Sequence, residues 1–168
     1  SETIGSLSGG GTNGGDINLQ ANTLTMGDAT DVVYGGKFSG TGGWIKTGTG
    51  TVTLSGASTN SGGNVVRGGT VKLGNAAALG TANTAEGVES GATLDMNGYT
   101  VTTANEVLGI AGSGAGGVGA LYNSTGSAAW TGHNVYLMSD DATIGAASGA
   151  TLTISNNGRE LQLLGYDL

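Results

Sequence analysis

Gly48–Gly74 reads GTGTVTLSGASTNSGGNVVRGGTVKLG: two short alternating segments, TVTL and TVKL, each set between glycine turns. In TVTL, Val52 and Leu54 point to one face while Thr51 and Thr53 point to the other; Val71 and Leu73 repeat this against Thr70 and Lys72. Such alternation is the period of a half-buried strand, and the glycines supply its corners.

The same word recurs as TLTM (Leu24, Met26), ATLDM (Leu94, Met96), NVYL (Val135, Leu137) and ATLTI (Leu152, Ile154). Val52 to Val71 is 19 positions and Val71 to Leu94 is 23, with Val65 and Val101 marking intermediate strands. A recurrence of roughly 20 residues with about three short strands per turn predicts an all-β parallel β-solenoid. At that period the chain makes roughly eight rungs and some 40 Å of rod.

Composition agrees. The 36 glycines are about three times ordinary usage, yet there is no Gly-X-Y period and no proline, which excludes collagen. A charged fraction of 10% is too low for a chain expanded by charge repulsion, and 37% apolar residues suffice for a narrow core. No linker or composition break divides residues 1–168, which read as a single solenoid domain, a segment or subunit of a longer rod. Gly109–Gly119, GIAGSGAGGVG, reads as a flexible loop or a tight glycine corner, and no helix of ordinary length is visible.

The absence of cysteine rules out disulfides and thiolate metal sites. No apolar run reaches the 18 or so residues of a membrane helix, and a chain opening on Ser1 reads as a processed or excised soluble piece. A net charge of −7 with five Lys and Arg argues against nucleic acid. Charge is uneven: −4 over residues 1–31, +4 over 32–85 (Lys37, Lys46, Arg67, Lys72) and −7 over 86–168. In a solenoid this order becomes a basic band between acidic ones, a pattern open either to lateral association or to plain solvation.

GTGGWIKTGTGTVTLSGASTNSGGNVVRGGTVKLG, Gly40–Gly74, resembles the passenger-associated transport repeat (autotransporter-associated β-strand repeat) of bacterial autotransporter passengers. ETIGSLSGGG and ANTLTMGDATDVVYGGKFSGTGG upstream, and AAALGTANTAEGVESGATLDMNG downstream, resemble the segments that flank such repeats. The resemblance implies a right-handed parallel β-helix, secreted or held at the cell surface. Ser58, Asn60 and Trp44 stand where the repeat more usually carries asparagine, an aromatic and leucine; Trp44 is read as facing outward.

Chemistry-bearing patterns are sparse. His133 is the single histidine and has no serine elbow beside it, and adjacent Asp140 and Asp141 would point to opposite faces of a strand. GTNGGD (Gly11–Asp16) is one imperfect copy of a calcium-binding nonapeptide, and GAGGVG (Gly114–Gly119) fits GxGxxG without the helix that must follow. Asn123-Ser124-Thr125 is an incidental sequon. The chain is therefore read as non-enzymatic, with no catalytic residue, cofactor or metal. Its candidate contact residues are the aromatics Trp44, Trp130, Tyr34, Tyr99 and Tyr122, which either meet a glycan or protein or fill corners of the rod.

Three functions are open on these residues. The leading one is a rigid extracellular stalk, scaffold or fibre of a surface adhesin. The others are a filament subunit stacking end to end, since LQLLGYDL joined to SETIGSLSGGG reads as strand, turn and strand, and an adhesin binding host or matrix glycan or protein through exposed aromatics. Homotypic end-to-end or lateral association is the expected partnership, without nucleic acid and without membrane insertion of this segment.

Overall fold

The computed structural model describes all residues except 12–14, 82–84, 103–106, 132–133, 140, 156–161 and 164–168. Its strands are β1 (Glu2–Thr3), β2 (Ile17–Asn18), β3 (Leu24–Met26), β4 (Val32–Tyr34), β5 (Phe38–Ser39), β6 (Trp44–Lys46), β7 (Thr51–Leu54), β8 (Val65–Val66), β9 (Gly69–Leu73) and β10 (Ala85–Val88). They continue with β11 (Ala92–Asp95), β12 (Thr100–Val101), β13 (Val107–Ile110), β14 (Leu121–Asn123), β15 (Ser127–Thr131), β16 (Val135–Leu137), β17 (Ile144–Ala146), β18 (Thr151–Ser155) and β19 (Gln162–Leu163). Every alternating word and both intermediate strands fall on these elements.

All strand pairs are parallel, and partners lie about one period apart in sequence. The first sheet stacks eight strands in the order β1-β3-β6-β8-β10-β13-β16-β19, and the second stacks six in the order β17-β14-β11-β9-β7-β4. The third side carries a pair, β2 and β5, and a three-stranded sheet of β12, β15 and β18. Between these two short sheets, stacking persists without strands, through Thr59 N to Phe38 O at 2.7 Å and Ser58 N to Ala77 O at 3.0 Å. The fold is a β-solenoid of about six turns, with eight strands stacked on its first sheet. Roughly 4.8 Å apart, those eight strands span about 34 Å.

The core follows from register. On the first sheet, Met26, Lys46, Val66, Val88, Ile110 and Leu137 align in one inward column. On the second, Val32, Val52, Val71, Leu94, Leu121 and Ile144 align. Apart from Lys46, both columns are apolar, so the apolar face of one rung is buried by its neighbours along the axis. Tyr34, Phe38 and Trp44 fill one part of this core, with ring centroids 5.1 Å and 6.3 Å apart along the series.

Gly109–Gly119 resolves into the corner option. Gly109 and Ile110 end β13, and Ala115–Gly117 make one 3-10 turn. Thr93 Oγ1 donates to Gly119 O at 2.8 Å and accepts from Ala115 N at 2.9 Å, pinning the turn to the rung beneath.

Candidate functional site

The aromatic residues separate into two groups. Trp44, Trp130 and Tyr34 are 0%, 1% and 2% exposed, so they lie in the core and offer no ring face to a ligand. The expectation that Trp44 faces outward is corrected: in WIK the outward position belongs to Ile45, and Trp44 shares the inward phase of its strand partner Leu24. Aromatic side chains bury the most apolar area per residue, which favours the narrow interior over the loops. Tyr99 and Tyr122 are half-buried and remain at the surface.

His133 and Asp140 lie outside the described residues. Asp141 accepts from Ser139 Oγ at 2.6 Å in a polar turn. In GTNGGD, Asp16 is turned to Lys37: its Oδ1 accepts the Lys37 backbone N–H at 3.1 Å, and its Oδ2 lies 3.5 Å from Nζ. The sequon residue Asn123 is 0% exposed. Its Nδ2 donates to Thr151 O and Gly126 O at 2.7 and 3.1 Å, and its Oδ1 accepts from Gly98 N at 2.8 Å. In the folded rod this amide is a rung-to-rung clamp, inaccessible to a glycosyl donor.

The cations of residues 32–85 do not form an open band. Lys37 faces Asp16, Arg67 Nε lies 2.8 Å from Glu89 Oε1, and Lys72 Nζ lies 3.6 Å from Asp95 Oδ2. Lys46 is 0% exposed, stacked between Met26 and Val66. Its Nζ donates to the carbonyls of Thr47, Gly68 and Gly48 at 2.7, 3.0 and 3.2 Å, closing the corner between the first and second sheets. Burial holds its pKa below the ordinary lysine value, with Asp28 and Asp31 pulling the other way.

Another buried polar group, Asn64, sits beside Trp44. Asn64 Oδ1 accepts from Asn60 Nδ2 at 3.1 Å and from Trp44 N at 3.2 Å, and its Nδ2 donates to Leu79 O at 2.7 Å and Glu86 Oε1 at 3.1 Å. All four hydrogen-bonding positions of the amide are filled, tying successive rungs together. The sequence reading missed both Lys46 and Asn64. The signal for Lys46 was its phase, two residues after Trp44 in a strand that alternates.

The outer surface of the first sheet carries a shallow groove of about 500 Å³, lined by Val65, Gly87, Val107, Gly109, Tyr136 and Met138, with Glu89 at its rim. Here the outward column runs Thr25, Ile45, Val65, Gly87, Gly109, Tyr136, so two successive rungs lack a side chain. Tyr136 Oη accepts from Asn134 Nδ2 at 2.9 Å.

Two titrations bear on stability at high pH. Burial, aided by Asp16, pushes Tyr34 from 10.0 to about 12, and its hydroxyl donates to the Gly15 carbonyl. A raised folded pKa means this contribution is fully present below pH 10 and is lost between 10 and about 12. The lowered Lys46 pKa acts with opposite sign, and its penalty is relieved as pH approaches the unfolded value of 10.5. Equilibrium denaturation across pH 8–12 is therefore expected to show stability level or rising to about pH 10, then a loss of about 2 kcal/mol. Tyr34→Phe is expected to remove most of that loss; an unchanged alkaline limb would refute the assignment.

No protein-family description, no curated protein and no solved structure matches this chain.

Proposed function

We propose that this chain is a rigid structural segment of an extracellular bacterial surface protein, a stalk or scaffold without enzymatic activity. The observation that carries the reading is the unbroken parallel stack of eight strands on the first sheet, backed by inward columns on two faces. In such an arrangement stiffness and resistance to unfolding are distributed along the axis. The likeness of Gly40–Gly74 to the passenger-associated transport repeat supports placement outside the cell, on an autotransporter-type passenger. Imaging by negative-stain electron microscopy at rising concentration is expected to give short rods of constant length. Flexible or globular particles would overturn the stalk reading.

One observation favours end-to-end filament assembly as a second reading. On β18, the outermost strand of its sheet among the described residues, Leu152 and Ile154 are half-buried, whereas their partners Ala128 and Trp130 on the rung below are buried. A strand added there would complete the burial, whether it came from the same chain or another. Particles that lengthen with concentration in the same images would select this reading over the first.

A further inference from the structure

Gly87 and Gly109 stand in strand interiors, where glycine loses packing and costs backbone entropy. Neither has positive φ, and the nearest backbone is the Glu86 carbonyl oxygen, in ordinary contact with a Gly109 Cβ at 3.8 Å. A Cβ on Gly87 would meet only the Val65 methyls at 3.7 Å; one on Gly109 would meet the Met138 Cγ and Sδ at 3.2 and 3.3 Å. Their role is thus the space they leave open, a floor of bare peptide two rungs wide. Val65 and Tyr136 form its walls, about 14 Å apart along the axis at three strand spacings. Met138, 53% exposed, leans its flexible thioether over the Gly109 half.

We propose that this groove is a binding site for a flat aromatic small molecule that is neutral or, preferably, cationic. A volume of about 500 Å³ falls in the range of small-ligand sites. Glu86 also lines the groove but is buried, its Oε1 accepting from Asn64 Nδ2; apart from the paired Glu89 carboxylate and the Tyr136 hydroxyl the other side chains are apolar, so an extended glycan would lose more hydrogen bonds to water than it gained. The Tyr136 hydroxyl accepts from Asn134 and keeps its own proton to donate to a ligand edge. The groove's footprint is too small for a second copy, since a stable interface covers about 800 Å² per partner. Charge sets the sign through the chain as a whole, because the Glu89 carboxylate in the groove is paired with Arg67 at 2.8 Å: a net charge of −7 makes a field that repels anions. A polarizable thioether over the floor suits an aromatic ring.

The chain's three methionines allow a direct test, because Met26 and Met96 are fully buried and Met138 is not. The full chain, labelled at its methionine methyls, is titrated by NMR with thioflavin T, a planar cation, and with anilinonaphthalene sulfonate, a planar anion. The expected result is saturable movement of the Met138 methyl alone by thioflavin T, with the anion at least tenfold weaker. Gly87→Val sets its Cβ in ordinary contact with the Val65 methyls at 3.7 Å and extends the Ile45–Val65 column, so it is expected to fold at least as stably and to bind at least tenfold more weakly. Dye binding that leaves Met138 unmoved, or that survives Gly87→Val, overturns the site. Equal affinity for the anion overturns its charge preference. Movement of Met138 with protein concentration alone assigns the groove to a second copy.

Discussion

Gly43→Ala is expected to destabilise the rod by at least about 3 kcal/mol, although it adds a single methyl to a residue whose φ an alanine can adopt. A Cβ at Gly43 would lie 1.9 Å from the carbonyl oxygen of Gly63 and 2.8 Å from its carbon. Those atoms belong to the adjacent rung and cannot swing aside as a side chain would. Relief requires the rungs to part by more than 1 Å there, roughly a fifth of their spacing, which breaks hydrogen bonds on both sides. The displaced neighbours are consequential: Gly43 O accepts the Leu24 N–H at 3.1 Å, and Trp44 is the next residue. Gly91→Ala is the comparison, since Gly91 has φ +81 but nothing within 4 Å of its Cβ. It should cost only about 1 kcal/mol, the penalty of a left-handed conformation in the open. Urea denaturation of both variants separates the two causes. Equal costs would mean that rung spacing at Gly43 is soft.

That contrast also marks what the sequence could reveal. Alternation and glycine punctuation determine which segments are strands, because a strand's period of two is a local property. TVTL, TVKL, TLTM, ATLDM, NVYL and ATLTI therefore all lie on strands. Rung-to-rung relations are not local, so nothing distinguished Gly43, which is pressed by backbone, from Gly87, which opens a groove. The outward reading of Trp44 fails for the same reason. Trp44 and Trp130 lie near glycines that read as loops, but their strand phase points them inward, and phase becomes legible only once strand ends are known. Lys46 and Asn64 defeat a reading by residue type, since charged and amide side chains are assigned to the surface unless a set of carbonyls or amides gathers around them in space. Asn123 shows the converse: a sequon legible as a motif is occupied by the fold.

Asn64→Leu is expected to cost about 4 kcal/mol or more, a large share of the 5–15 kcal/mol that holds a typical domain together. Leucine matches asparagine in approximate size and is apolar, so volume and burial alone would favour it in a core. What it removes are four hydrogen bonds made by one side chain that is 1% exposed. The Trp44 N–H, the Asn60 amide, the Leu79 carbonyl and the Glu86 carboxyl each lose a partner in a region largely closed to water. A buried group left without a partner costs about 1–3 kcal/mol, and this cost falls chiefly on the Trp44 N–H and the Leu79 carbonyl, since Asn60 Nδ2 keeps the Gly62 and Gly42 carbonyls at 3.3 and 3.5 Å. Asn64→Asp is the sharper probe, because it keeps the shape and the two accepted bonds but replaces the donors with a second carboxylate facing Glu86. Its destabilisation should exceed that of Asn64→Leu at neutral pH and diminish in acid, where one carboxyl can be protonated and donate to the other. Chemical denaturation at pH 7 and pH 4.5 measures both differences. If Asn64→Leu lies within 1 kcal/mol of the parent, the amide network is not what holds these rungs in register, and the apolar columns alone must do so.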